Sequence, residues 1–129
     1  MNDKLKTLAL DYLAAVGKKD FKRVEELLAP DLRFVGPVMT RTSARDFIGA
    51  LTRLGAIHVR NEPTHVFVDG ADVCVIYDFV TDTAAGALPT IEWLHVEGGR
   101  IRSIRLYYDR VPWKGVLDEM TRRTTQATA

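Results

Sequence analysis

Near Ile57 the apolar residues of this chain change period, and few folds accommodate such a switch. Upstream, Leu5, Leu8, Ala9, Tyr12, Leu13 and Val16 recur at helical spacing and form one stripe. Asn2 or Asp3 caps the start of that helix, and Gly17 ends it. Asp20 is the next cap. The shorter stripe Phe21, Val24, Leu27 and Leu28 follows and is stopped by Ala29-Pro30. Leu32 to Val35 alternates briefly as a short strand, closed by Gly36-Pro37. Ser43-Ala44-Arg45-Asp46 has capping-box spacing with Asp in its last place. Phe47, Ile48, Leu51 and Leu54 then give a third helix, with Gly55 as its stop.

Downstream the texture is that of strands. Ile57 to Arg60 and Thr64 to Val68 are β-rich, and Pro63 between them marks an edge or a bulge. Asp69-Gly70 is a hairpin turn, and Val73 to Thr81 a long strand. Thr83 to Leu88 is a looser turn around Gly86. Thr90 to Val96 and Arg100 to Asp109 are the last strands, joined at Gly98-Gly99. The order predicts an α+β fold, three helices segregated from an antiparallel meander. Val73, Val75, Tyr77 and Phe79 mark one face of the long strand; Cys74, Ile76 and Val80 mark the other. A sheet with one wet face alternates more cleanly. One face therefore covers the helices, and a second copy of the chain is expected on the other, as a homodimer.

At 129 residues the chain suffices for one domain, expected over 1–112, with a polar tail over 113–129. That tail carries one short helix near Val116 to Arg122 and a frayed end from Thr124 to Ala129. Apolar runs are too short to span a bilayer, and Met1 to Thr7 has no apolar leader core. Net charge is +1, so neither nucleic acid nor an anionic membrane is an expected partner. The lone Cys74 fits a reducing cytoplasm. His58, His65 and His95 share no metal-ligand spacing with one another or with Cys74, so no metal is expected, nor any cofactor.

Two stretches carry a family likeness. Tyr12-Leu13-Ala14-Ala15-Val16, Asp20-Phe21 and Leu27 to Phe34 resemble the opening of the nuclear transport factor 2-like superfamily. Glu92 to Ile101, followed by Arg105-Leu106-Tyr107-Tyr108-Asp109, resembles its SnoaL-like branch. The resemblance spans about residues 5 to 110. It implies a cone: a strongly bent sheet wrapped around the three helices, a deep apolar pocket inside, and dimers through the outer face. The superfamily includes isomerases, polyketide cyclases, epoxide hydrolases, dehydratases and binding modules, so fold alone does not choose.

For ketosteroid isomerisation the resemblance places Tyr12 at the oxyanion tyrosine and Glu92 at the protonated acid. It places Gly36 at the general base, and a glycine moves no proton. For epoxide hydrolysis, Asp78 matches one carboxylate of the relay, but Ile76 stands at its arginine and Leu106 at its other acid. Both chemistries are argued against.

Read without any family, Glu92 sits amid Leu88, Ile91, Trp93, Leu94 and Val96, in a strand expected to be buried. Burial raises a carboxyl pKa toward the range of a neutral-pH acid or base; the alternative is an ion pair with Arg100, Arg102 or Arg105. Asp78 either shares a face with Glu92, forming an acid/base pair, or stands at the rim in solvent. The register of the Thr83 to Leu88 turn decides between the two. Tyr12 is either a pocket hydroxyl or a core aromatic. His95 alternates away from Glu92, toward an interface. His65 borders the pocket or does not. Cys74 reads as a small buried hydrophobe. Arg100, Arg102, Arg105 and Arg110 read as a solvated or interfacial face. Strand parity puts Glu92 with Leu94, and Ile104 with Leu106 and Tyr108. With Phe34, Phe47, Ile48 and Leu51 these are the expected pocket lining. The expected function is cofactor-independent acid/base chemistry, an isomerisation, cyclisation or dehydration, on a small apolar or aromatic molecule. The alternatives are a non-catalytic ligand-binding module and a pure association domain.

Overall fold

The structure, a computed structural model, describes residues 2–128. Helices α1 (Asn2–Gly17) and α2 (Phe21–Leu27) lead into strands β1 (Leu28–Val35) and β2 (Thr40–Arg41). Helix α3 (Ala44–Leu54) follows, then β3 (His58–Asp69), β4 (Asp72–Thr81), β5 (Ala87–Glu97), β6 (Arg100–Tyr108) and α4 (Trp113–Thr128). The caps fall where residue chemistry puts them. Asp20 accepts the backbone N–H of Arg23 at 3.2 Å, and Ser43 accepts that of Asp46 at 3.1 Å. The cap expected at Asn2 lies outside the residues whose side chains are described; of the fraying expected from Thr124 to Ala129, residues 124–128 are instead helical, and Ala129 lies outside the described residues.

The fold is α+β, with a curved, unclosed six-stranded sheet in the order β2-β1-β6-β5-β4-β3. Strands β3 to β6 form the predicted antiparallel meander. Against the all-antiparallel expectation, β1 joins β6 in parallel. It also begins at Leu28 rather than Leu32. Pro30 is tolerated because the ladder shifts register between Leu28 and Arg33, so its missing N–H breaks no regular pairing. The β-rich stretches on either side of Pro63 form one strand, β3, which lies at the sheet edge and has a register shift between Pro63 and His65, so Pro63 marks an edge and a bulge as expected.

Burial alternates strictly along β4: Val73, Val75, Tyr77, Phe79 and Thr81 are buried, and the residues between them half-buried. Val73, Val75, Tyr77 and Phe79 pack with Leu94, Ile101, Ile104, Leu13, Val24 and Leu32 in one core. Each such side chain stabilises the fold by about 1.5–3 kcal/mol.

The domain does not stop at 112. Residues 113–128 form a four-turn helix whose Trp113, Val116 and Met120 are buried in the same core, with Leu117 beside them. Those four residues are one helical stripe in an otherwise polar segment. Arg123 ties the helix down, donating to the Ala56 carbonyl at 3.0 Å and to Asp82 at 2.7 Å. No helix among the described residues is long and apolar enough to cross a membrane.

Candidate functional site

The register Val75–Glu92 fixes the centre of the molecule. It sets the Glu92 side chain on the inner face, flanked by Tyr77 of β4 and reached from the other side by Tyr12 of α1. Glu92 is 5% exposed. The Tyr12 hydroxyl donates to its Oε1 at 3.0 Å, and the Tyr77 hydroxyl donates to its Oε2. Burial pushes the Glu92 carboxyl above its ordinary range, and the two tyrosine hydrogen bonds oppose that rise without cancelling it. Burial, reinforced by the Glu92 charge, drives both tyrosines well above theirs, so they stay protonated.

One proton decides what this cluster offers. With Glu92 ionised, both hydroxyl protons point at the carboxylate. With Glu92 neutral, its own O–H donates to one tyrosine, and that hydroxyl is free to donate to a ligand.

The cluster forms the deep end of a cavity of about 120 Å³. Its walls are mainly apolar: Val16, Phe34, Phe47, Leu51, Leu54, Phe79, Leu106, Leu117 and Met120. Phe34 and Phe47 stack at 4.6 Å, while Trp113 packs against Phe79 and Tyr108. The exposed Val38, Met39 and Arg53 rim the outer end. A dry engineered cavity of roughly 150 Å³ admits benzene, so this one suits about one ring.

Of the expected site residues, the structure brings together Tyr12, Glu92, Phe34, Phe47, Leu51, Leu106 and Tyr108. Leu94 and Ile104 face inward as parity required, but both are fully buried core rather than cavity wall. Ile48 packs on the core from α3 and does not line the cavity. Asp78 is a correction. It pairs with Pro89 and lies on the outer face between the inward Tyr77 and Phe79, so it cannot share a site with Glu92. Ile76 faces outward with it. His65 is exposed and away from the cavity. Glu92 has no arginine partner: Arg102 pairs instead with Asp31 at 2.9 Å, and Arg105 faces outward beside Trp93.

Two residues went unnoticed in the sequence. Tyr77 had the right parity, but only the β4–β5 register reveals its reach to Glu92. Arg41 lies on a two-residue strand opposite Phe34 and lines the cavity, with nothing in its local pattern to mark it. Among the described residues no cluster of three or more His, Cys, Asp or Glu is arranged to hold a metal ion.

A profile of the SnoaL-like domain matches residues 9–104, well over half the chain. The chain belongs to the SnoaL-like family. Solved structures agree on the fold. An NTF2-like protein of unknown function from Cytophaga hutchinsonii is 23% identical with a TM-score of 0.73, over 84% of this chain and 92% of that one. A provisionally assigned ketosteroid isomerase from Kribbella flavida is 17% identical with a TM-score of 0.74, over 83% and 78%. A provisionally assigned polyketide cyclase from Sinorhizobium meliloti is 16% identical with a TM-score of 0.72, over 78% and 94%. No curated protein sequence is significantly similar to the chain. Within the family frame, Gly36 does line the cavity at the position where the resemblance puts a base.

Proposed function

We propose that this SnoaL-like protein is a cofactor-independent acid/base enzyme that moves a proton within a small apolar carbonyl compound, in an isomerisation or in the enolisation that opens a cyclisation or dehydration. Glu92 carries the reading: it is the sole carboxyl among the described cavity-lining residues, and it is buried with a raised pKa. The isomerase and cyclase assignments of two structural relatives support the same reaction class. Ionised Glu92 takes a proton from the carbon beside the carbonyl. The C–H electrons become the enolate double bond, and the charge moves to oxygen. The tyrosine released from Glu92 donates to that oxygen. Return of the proton to another carbon completes an isomerisation. The test is deuterium incorporation into one-ring ketones in D2O, followed by NMR. Exchange above the buffer rate, lost in Glu92→Gln and reduced in Tyr12→Phe and Tyr77→Phe, is expected. No exchange with any such ketone overturns the reading.

Two observations favour a second reading, a non-catalytic ligand-binding module: a glycine, Gly36, stands where the resemblance implies a base, and Asp78 lies outside the cavity. Phenol binding without any exchange is its signature.

A second copy of the chain is the proposed occupant of the outer sheet face. Cross-strand register there lines up Phe67, Cys74 and Trp93 in one row, with Ile76, Ile91 and Tyr107 in the next. Phe67 is 57% exposed, Tyr107 47% and Trp93 45%. An apolar strand face of this kind packs on its own copy about a twofold axis. Sedimentation should give about twice 14.5 kDa, and Trp93→Asp should halve it; a monomer at micromolar concentration overturns the proposal. A reducing cytoplasm is the proposed location, since Cys74 is a free thiol.

A further inference from the structure

The deep end and the outer part of the cavity differ in how their polar atoms are satisfied. At the deep end, both oxygens of Glu92 are held by tyrosines. Asn61, farther along the wall, donates to the Leu13 carbonyl at 2.9 Å and meets His58 Nε2 at 2.9 Å. The outer part is the reverse. Two buried side-chain nitrogens among the described residues have no hydrogen-bond partner, Arg41 Nε and Trp113 Nε1. Both residues line this one cavity. Trp113 is 6% exposed, and its indole N–H is buried without a partner. Both groups only donate.

Charge points the same way. Arg41 and Arg53 both line the cavity, and neither is ion-paired among the described residues; Arg33, Arg45, Arg100, Arg105 and Arg110 are unpaired too, but none of them lines the cavity. Arg41 is held in place by the β1–β2 hairpin, which the Gly36 N–H closes by donating to the Met39 carbonyl at 2.8 Å. Its register partner is Phe34, so its stem lies on the inward face. A guanidinium in an apolar wall with an unmet donor is suited to a carboxylate.

We infer that the ligand of this cavity is a small organic acid, with an apolar body of about one ring seated over Glu92 and a carboxylate bound by Arg41, the Trp113 indole N–H donating to the same ligand. Only if that ligand is also the substrate does the inference rest on the proposed function; as a statement about binding it stands on the unpaired donors alone. It also gives the reaction an orientation. A carboxylate held at Arg41 aims the opposite end of the molecule at the Tyr12–Glu92–Tyr77 cluster.

The test is titration calorimetry with a matched series: benzoate, phenylacetate and 3-phenylpropionate, each beside its methyl ester, with phenol as a neutral probe of the deep end. At least one acid should bind the wild-type protein tenfold or more tighter than its ester. Arg41→Met should remove that preference while leaving phenol affinity within twofold. Arg41→Lys should restore part of it, and Trp113→Phe should weaken acid binding by a smaller factor. Acids and esters binding equally to the wild type would overturn the inference, and the two donors would then be hydrated by water alone. A preference that survives Arg41→Met would overturn it too. Phenol separates this from the function itself. If phenol binds and ketones exchange while acids show no advantage, the anion site fails and the acid/base reading stands. If acids bind through Arg41 but no exchange is seen with any ketone or keto acid, the anion site stands and the enzyme reading fails.

Discussion

Strands β4 and β5 carry a carboxylate cluster on each face, and the two are built alike. Inside, Glu92 accepts from Tyr12 and Tyr77. Outside, Asp72 Oδ1 accepts from the Trp93 indole at 2.9 Å and meets His95 Nδ1 at 2.9 Å. Each carboxylate has two partners, yet their acidities move in opposite directions. Hydrogen bonds from Trp93 and His95 hold Asp72 below its ordinary value, with little burial to oppose them. Burial lifts Glu92 above its own value despite its tyrosines. The number of donors therefore does not set the sign; the loss of water does. Only the inner carboxyl is brought toward the pH at which it exchanges protons readily, and only the inner one faces a cavity.

Substituting the two acids should break the symmetry most visibly. Glu92→Gln keeps the shape and removes the proton carrier, so ketone exchange should fall by about 10²–10⁴-fold. Asp72→Asn, on the far face of the same strands, should leave it unchanged. An equal loss in both would mean that the activity reports strand integrity rather than Glu92.

The next contrast is in packing. Leu94→Ala, at a fully buried position, should destabilise the fold by about 2–5 kcal/mol in urea denaturation. Ile91→Ala, half-exposed on the outer face, should cost about 1 kcal/mol or less when measured on dissociated protein. Comparable losses would show that the outer face is already buried at the concentration used.

Gly36 sharpens the comparison from within the cavity. A Cβ built there would sit 3.3 Å from the Phe34 ring and 3.6 Å from Leu106, both cavity walls, and the backbone is outside the positive-φ region. Gly36→Asp should therefore fold, with the Phe34 ring yielding slightly, and place a second carboxylate in the wall of the cavity that holds Glu92. Ketone exchange should rise roughly tenfold, short of the full contribution of a well-placed base. A folded variant, by circular dichroism and melting, with no gain would show that the new carboxylate and the Tyr12–Glu92–Tyr77 cluster do not meet at one substrate.

What the sequence showed of this site follows from the distances its signals span. The helix stripes, the caps at Asp20 and Ser43, and the alternation Val73–Val75–Tyr77–Phe79 are local, and each is legible from neighbouring residues. The resemblance at Tyr12 and Glu92 brought two distant residues together correctly. Asp78 and Tyr77 could not be told apart as partners of Glu92, because a one-residue slip in the Thr83 to Leu88 turn exchanges the faces of a strand. Arg41 was missed, and α4 was read as a short helix in a polar tail, for a different reason. A two-residue strand has no period, and four apolar residues among polar ones read as a tail until something is there for them to pack against.

The smallest expected effect is on stability against pH, and it should have opposite signs for the two carboxylates. Glu92 has a raised pKa in the folded state. Between its ordinary value of 4.5 and that raised value, the folded protein holds more protons than the unfolded chain. Its contribution is therefore most favourable below 4.5 and declines as pH rises through the window. Glu92→Gln stays neutral, so its melting temperature should gain on the wild type as pH rises from 4 and then level off. Asp72 is the reverse. With a lowered folded pKa, its contribution is present above its ordinary value of 3.8 and is lost as pH falls below it. Asp72→Asn should lose ground to the wild type as pH rises through that lower window. His58, whose pKa burial lowers, favours folding less as pH falls below 6.5, but it is common to all three proteins and cancels in the differences. Melting curves from pH 3 to 8 measure both differences. If Glu92→Gln instead lost ground with rising pH, the tyrosine hydrogen bonds would outweigh burial. Glu92 would then be an ordinary ionised acceptor like Asp72, and the inner cluster would have no proton to trade.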